Sequence, residues 1–86
     1  MALYFSAHNI ACLTKRDLRS IMQNLHTARD VQIIRSVASQ FGGRMIVESD
    51  ALDQKTLETF FTAHHFNCEW VMRIDLDARK DSIQEY

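Results

Sequence analysis

Four histidines and two cysteines carry the side chains of this 86-residue chain best suited to hold a metal ion. Imidazole and thiolate are the donors that zinc, nickel and copper prefer. Three of the six lie close together at His64, His65 and Cys68, a spacing that matches no closed metal signature. His8 and Cys12 lie near the N-terminus, and His8, Cys12, His65 and Cys68 form the candidate donor set for a transition metal. Each also has a plainer reading. His64 extends an apolar helix face, His65 is a solvent-facing neighbour, and both cysteines pack as small hydrophobes.

A second group carries charge at places that a sheet can bring together: Arg35, Glu48, Arg73 and Asp75. On one sheet face they make either an ion-pair network or a pocket for an anionic ligand, because an unpaired buried charge costs several kcal/mol. His8, Glu48 and Asp75 are also the candidate acid–base groups of an enzyme, since a dry cavity moves such pKa values toward neutrality. No nucleophile elbow, phosphate loop or HExxH pattern accompanies them.

The elements that must position these groups are legible from periodicity. Ala2 to Asn9 has strand composition, with Leu3, Phe5 and Ala7 on one face and Tyr4, Ser6 and His8 on the other. Thr14 and Asp17 resemble a capping pair, and Leu18, Ile21, Met22 and Leu25 repeat with helical spacing after them. Val31 to Ala38 is β-branched-rich, and Gly42-Gly43 between it and the strand Arg44 to Asp50 signals a hairpin. Asp53 caps a helix whose apolar face is Leu57, Phe60, Phe61 and His64. A last strand runs to Asp77, with Trp70, Met72, Ile74 and Leu76 on its helix-facing side and Val71, Arg73 and Asp75 on the other. Residues 78–86 are polar and read as a tail on a domain spanning 1–77, either loose or docking on a partner.

The order β-α-β-β-α-β, with right-handed crossovers, predicts an α+β fold of the ferredoxin-like kind. Its antiparallel sheet has the order 4-1-3-2, with both helices on one face. That order places the end of the first strand beside the start of the fourth, so His8, Cys12, His64, His65 and Cys68 gather at one end of the domain. The uncovered face is expected to carry Tyr4, Ser6, His8, Val31, Ile33, Arg35, Val37, Ile46, Glu48, Asp50, Val71, Arg73 and Asp75. A face so rich in apolar side chains marks an interface, and a twofold homodimer is its simplest closure.

Composition narrows the classes further. A formal net charge of −1 with no basic block leaves no electrostatic footprint for nucleic acid. Apolar runs are too short to span a membrane, and no secretory signal is read. Two cysteines make at most one disulfide, so reduced thiols in the cytoplasm are expected.

The segments YFSAH, TKRDL, VQIIRSVAS and GGRMIVESDALDQKTLETFF together resemble the small ferredoxin-like proteins of the nickel-binding or nickel-responsive kind. His8, Arg35, Ser36 and Asp50 are the matching positions. The end of the second helix departs from that pattern, with His64, His65, Phe66, Asn67 and Cys68 where members often carry a histidine followed by Gly and Pro. The resemblance implies a dimer and a transition metal bound through His8, and it does not imply an enzyme. Three readings follow: a cytoplasmic homodimer that binds nickel, zinc or copper; a dimeric α/β-barrel enzyme of the monooxygenase or isomerase type; and a ligand-sensing or structural interaction module.

Overall fold

A computed structural model describes residues 2–86. Its elements run β1 (Ala2–Asn9), α1 (Lys15–Thr27), β2 (Gln32–Ser39), β3 (Arg44–Ala51), α2 (Gln54–Ala63), β4 (Cys68–Arg73), β5 (Leu76–Arg79) and β6 (Ser82–Glu85). The first, second, third and fourth strands form one antiparallel sheet in the order β2-β3-β1-β4, as expected.

Both helices begin where the side-chain caps place them. Thr14 Oγ1 accepts from Asp17 N–H at 3.1 Å, and Asp17 Oδ2 accepts from Thr14 N–H at 3.2 Å, which satisfies two first-turn donors reciprocally. Asp53 Oδ1 accepts from Thr56 N–H at 2.7 Å, and these bonds to the ionised form hold the Asp53 carboxyl below its usual range. Leu18 and Leu25 from α1 and Leu57, Phe60 and Phe61 from α2 are buried in one cluster with Tyr4, Ile33, Met45 and Val47. The core therefore lies between the helices and one sheet face. Gly43, at φ 69°, closes the β2–β3 hairpin in the left-handed region, where glycine has no Cβ to strain.

Two β-bulges set which side chains meet the core. One lies in β2 between Ile33 and Arg35, so that Ile33 opposes Ser49 and Arg35 opposes Glu48. The other lies opposite Ala7 and His8, which pair with Trp70 and Cys68 and leave Glu69 as the extra residue in β4. Glu69 is used at the surface, where its Oε1 takes Arg44 Nε at 2.8 Å.

Several facings differ from the sequence reading. Tyr4, Ser6 and His8 point into the core, while Phe5 is on the open side. Val31 and Ile33 are buried, and the bulge then returns Arg35 and Val37 to the open face as expected. In β4, Val71 packs on the core and Trp70 and Met72 are exposed. In β3 the reading holds: Met45 and Val47 are fully buried, and Ile46 and Glu48 lie on the open face.

The fourth strand also ends earlier than Asp77. Tyr4 pairs with Arg73, and Ile74 N–H donates to Leu3 O at 2.9 Å, so β4 runs out of partner as β1 reaches its start. The chain turns there, and β5 pairs only with β6 across a tight turn at Lys80-Asp81. The segment read as a polar tail from Ala78 is thus the greater part of a separate hairpin, closed by Tyr86 N–H donating to Asp75 O at 2.9 Å.

Candidate functional site

The candidate donors end up in different surroundings. His8 has no solvent exposure. Its Nε2 lies 2.8 Å from Ser6 Oγ, and its ring meets the edges or faces of Phe61 and Phe66 at centroid distances of 4.5 and 4.8 Å. Desolvation by burial lowers its pKa to about 4, against a weaker opposing pull from the Asn67 backbone, so the imidazole is neutral at pH 7. Nδ1 has no aligned hydrogen-bond partner among the described residues.

Cys68 is the Cα partner of His8 across β1 and β4. Its thiol donates to Trp70 O at 3.4 Å. Burial, and next the charge of Glu58, push the Cys68 pKa up, so the thiol keeps its proton. Cys12 is exposed in the loop after β1, at φ 71°. His64 caps α2 at its C-terminus and leans on Phe60 with ring centroids 4.4 Å apart. His65 is exposed at φ 56°, where it ends the helix: its N–H donates to Thr62 O, and the next amide, Phe66 N–H, donates to Phe61 O at 2.8 Å.

Topology therefore gathers His8 and Cys68 but does not converge them with Cys12 and His65. Among the described residues no three His, Cys, Asp or Glu side chains are placed to share a metal ion. The two that are neighbours are held in their neutral, protonated-thiol and hydrogen-bonded forms, which a metal would have to displace. This donor set does not fit a shared ion.

The charged group divides as well. Arg35 and Glu48 are cross-strand partners on the open face. Arg73 opposes Tyr4 and so lies toward the helix side of the sheet, with Nε 3.9 Å from Asp75 Oδ1 beyond the end of β4. Both members of that pair are well exposed, and so long a surface contact contributes little.

What the register does assemble is a pair of complete rows across the open face. Arg35, Glu48, Phe5 and Met72 lie directly opposite one another in adjacent strands and form the first row. Val37, Ile46, Ala7 and Trp70 form the second, with no polar side chain in it. Phe5, Val37, Trp70 and Met72 are 37%, 45%, 42% and 53% exposed, so water now covers much of this apolar surface. Val37, Ile46, Arg35 and Glu48 were assigned to this face by sequence pattern. Phe5, Ala7, Trp70 and Met72 are placed on the opposite face by the alternation alone.

The C-terminal hairpin borders the first row. A cavity of about 310 Å³ lies between Phe5, Arg35 and Glu48 on the sheet and Ile74, Leu76, Asp77 and Arg79 on the hairpin side. A smaller hollow of about 210 Å³ adjoins it over Val37 and Ile46. Arg35 and Glu48 form no ion pair among the described residues, whereas Arg79 Nη2 is 3.5 Å from Asp77 Oδ2. No helix among the described residues is long and apolar enough to cross a membrane. Comparison with protein-family models, with curated proteins and with solved structures gives no match to this chain.

Proposed function

We propose that this chain is a ferredoxin-like interaction module that works as a homodimer, joined through its open sheet face. The observation that carries this reading is the unbroken apolar row Val37, Ile46, Ala7 and Trp70, lying beside Phe5 and Met72. A sheet face that stayed in water would alternate to polar residues there. Phe5, Val37, Trp70 and Met72 are already about half buried, so covering the rest contributes roughly 1 kcal/mol each, and several together supply the driving force for association. The two charges in the first row do not oppose closure. Arg35 and Glu48 are cross-strand neighbours of opposite sign, not ion-paired in the single chain, and closure of the face would turn them toward each other.

The test is the sedimentation of the wild-type chain and of Trp70→Glu over a micromolar concentration series. A wild-type dimer that Trp70→Glu converts to a folded monomer is expected. A wild-type monomer throughout would overturn the reading.

A further inference from the structure

The C-terminal hairpin has no place in the core. Its strands β5 and β6 bond only to each other, and Leu76 and Ile83 are 63% and 72% exposed. Ala78 pairs with Ile83 and Leu76 with Glu85, so Leu76, Ala78 and Ile83 share one face of the hairpin, with Glu85 beside Leu76 at its open end. A two-stranded hairpin is marginal in water by itself, and one with an exposed apolar face needs a surface to rest on.

The hairpin rises on the open-face side, since its residues wall the cavity over Phe5, Arg35 and Glu48. It leaves the second row uncovered. Two copies meeting face to face have their twofold axis between the sheets. An axis parallel to the strands brings both hairpins to the same end, where they collide. An axis across the strands sends each hairpin to the far end of the other copy, and that end carries Val37, Ile46, Ala7 and Trp70. The dimensions agree: four residues at about 3.4 Å make a strand about 14 Å long, and four strands about 4.8 Å apart span about the same width.

We infer that the β5–β6 hairpin is a clasp for a second copy of this chain, laying Leu76, Ala78 and Ile83 on the partner's apolar row. This rests on the face-to-face dimer and deepens it: each open face is complete only when the other copy supplies its hairpin. The axis runs across the strands, and the two clasps are equivalent.

The experiment uses the full chain. Leu76→Asp together with Ile83→Asp should raise the dimer dissociation constant at least tenfold by sedimentation. The circular dichroism and melting of the remaining monomer should be unchanged, because neither residue is in the core. In a dimer mixed from labelled and unlabelled chains, isotope-filtered NOEs should connect Ile83 methyls of one copy to the Trp70 indole of the other. A wild-type dimer whose dissociation constant ignores both aspartates, with no such NOE, overturns the clasp and leaves the sheet-face dimer standing. A wild-type monomer overturns both.

Discussion

Ser6 and His8, two residues apart on β1, meet through Ser6 Oγ and His8 Nε2 at 2.8 Å with no solvent exposure on either residue. The pair sits beneath Phe61, inside the sheet–helix layer. A histidine in that position is a packed, neutral core residue with one ring nitrogen, Nε2, satisfied by a neighbour on its own strand.

Acid should therefore unfold this protein through His8. The folded pKa of about 4 lies below the ordinary 6.5, so the unfolded chain takes up the proton first. Stability is unaffected above pH 6.5, falls between pH 6.5 and 4 by roughly 1.4 kcal/mol per unit, and levels off below, a total of about 3 kcal/mol. Urea melts of the wild type and of His8→Leu across that range check it. The slope should be reduced in the variant, and equal slopes would assign the acid response to other groups.

Substitutions on β2 should separate folding from association. Ile33 is 8% exposed and belongs to the core, so Ile33→Glu should lower the melting temperature severely. Val37→Glu, on the open face, should leave the monomer's melting nearly unchanged and weaken self-association. Thermal melts beside sedimentation read both effects, and a similar loss of stability in the two variants would show that Val37 is also core.

The two thiols should differ in reactivity. Cys12 is exposed, while Cys68 is half-buried with its pKa raised, first by desolvation and then by Glu58. Iodoacetamide at pH 7.5 should label Cys12 at least tenfold faster, since the thiolate is the nucleophile. Peptide mass mapping over time gives the two rates, and equal rates would mean that the His8–Cys68 end of the domain opens readily.

Calorimetric titration with nickel, zinc and copper should give no stoichiometric heat assignable to His8, Cys12, His65 and Cys68, because these four do not converge. His8→Ala should cost about 2–4 kcal/mol of stability by leaving a cavity against Phe61 and Phe66 and an unpaired Ser6 hydroxyl. Stoichiometric binding abolished by His8→Ala in a folded variant would restore the metal reading.

Thr14→Ala should destabilise α1 by about 1 kcal/mol, because Asp17 N–H loses its side-chain acceptor while the Thr14 backbone N–H keeps Asp17 Oδ2. Chemical denaturation measures it. A change below about 0.3 kcal/mol would mean that water replaces the cap fully.

The order of the first six elements, the order of the four-stranded sheet and both helix starts were legible because each rests on local chemistry: caps at Thr14 and Asp53, glycine at the hairpin, helical spacing of Leu57, Phe60 and Phe61. The facing of β1 and β4 was not. Alternation assigns a strand's buried side only when its two faces differ in polarity. Here Trp70 and Met72 on the open side are larger and more apolar than Ser6 and His8 on the buried one. In β2 the pattern changes phase at the bulge after Ile33, and nothing in VQIIRSVA marks where the extra residue falls. The buried Ser6–His8 bond was hidden for the same reason, since polar side chains two apart on a strand read as solvent-facing. The hairpin beyond Ile74 escaped because Trp70, Met72, Ile74 and Leu76 continue one alternating period straight through the break.

The N-terminal strand lies at the centre of the sheet, between β3 and β4. During synthesis it emerges before both its neighbours, which follow only after the first helix and then the second have been made. Until Cys68–Arg73 arrives, one long side of β1 offers bare amides and carbonyls to any passing strand. The β1–β4 pairing closes a long stretch of chain, so folding should be slower than the size alone implies. Shuffling the chain so that β4 precedes β1 through a short turn would turn that distant pairing into a neighbouring one and should speed folding with the same native sheet.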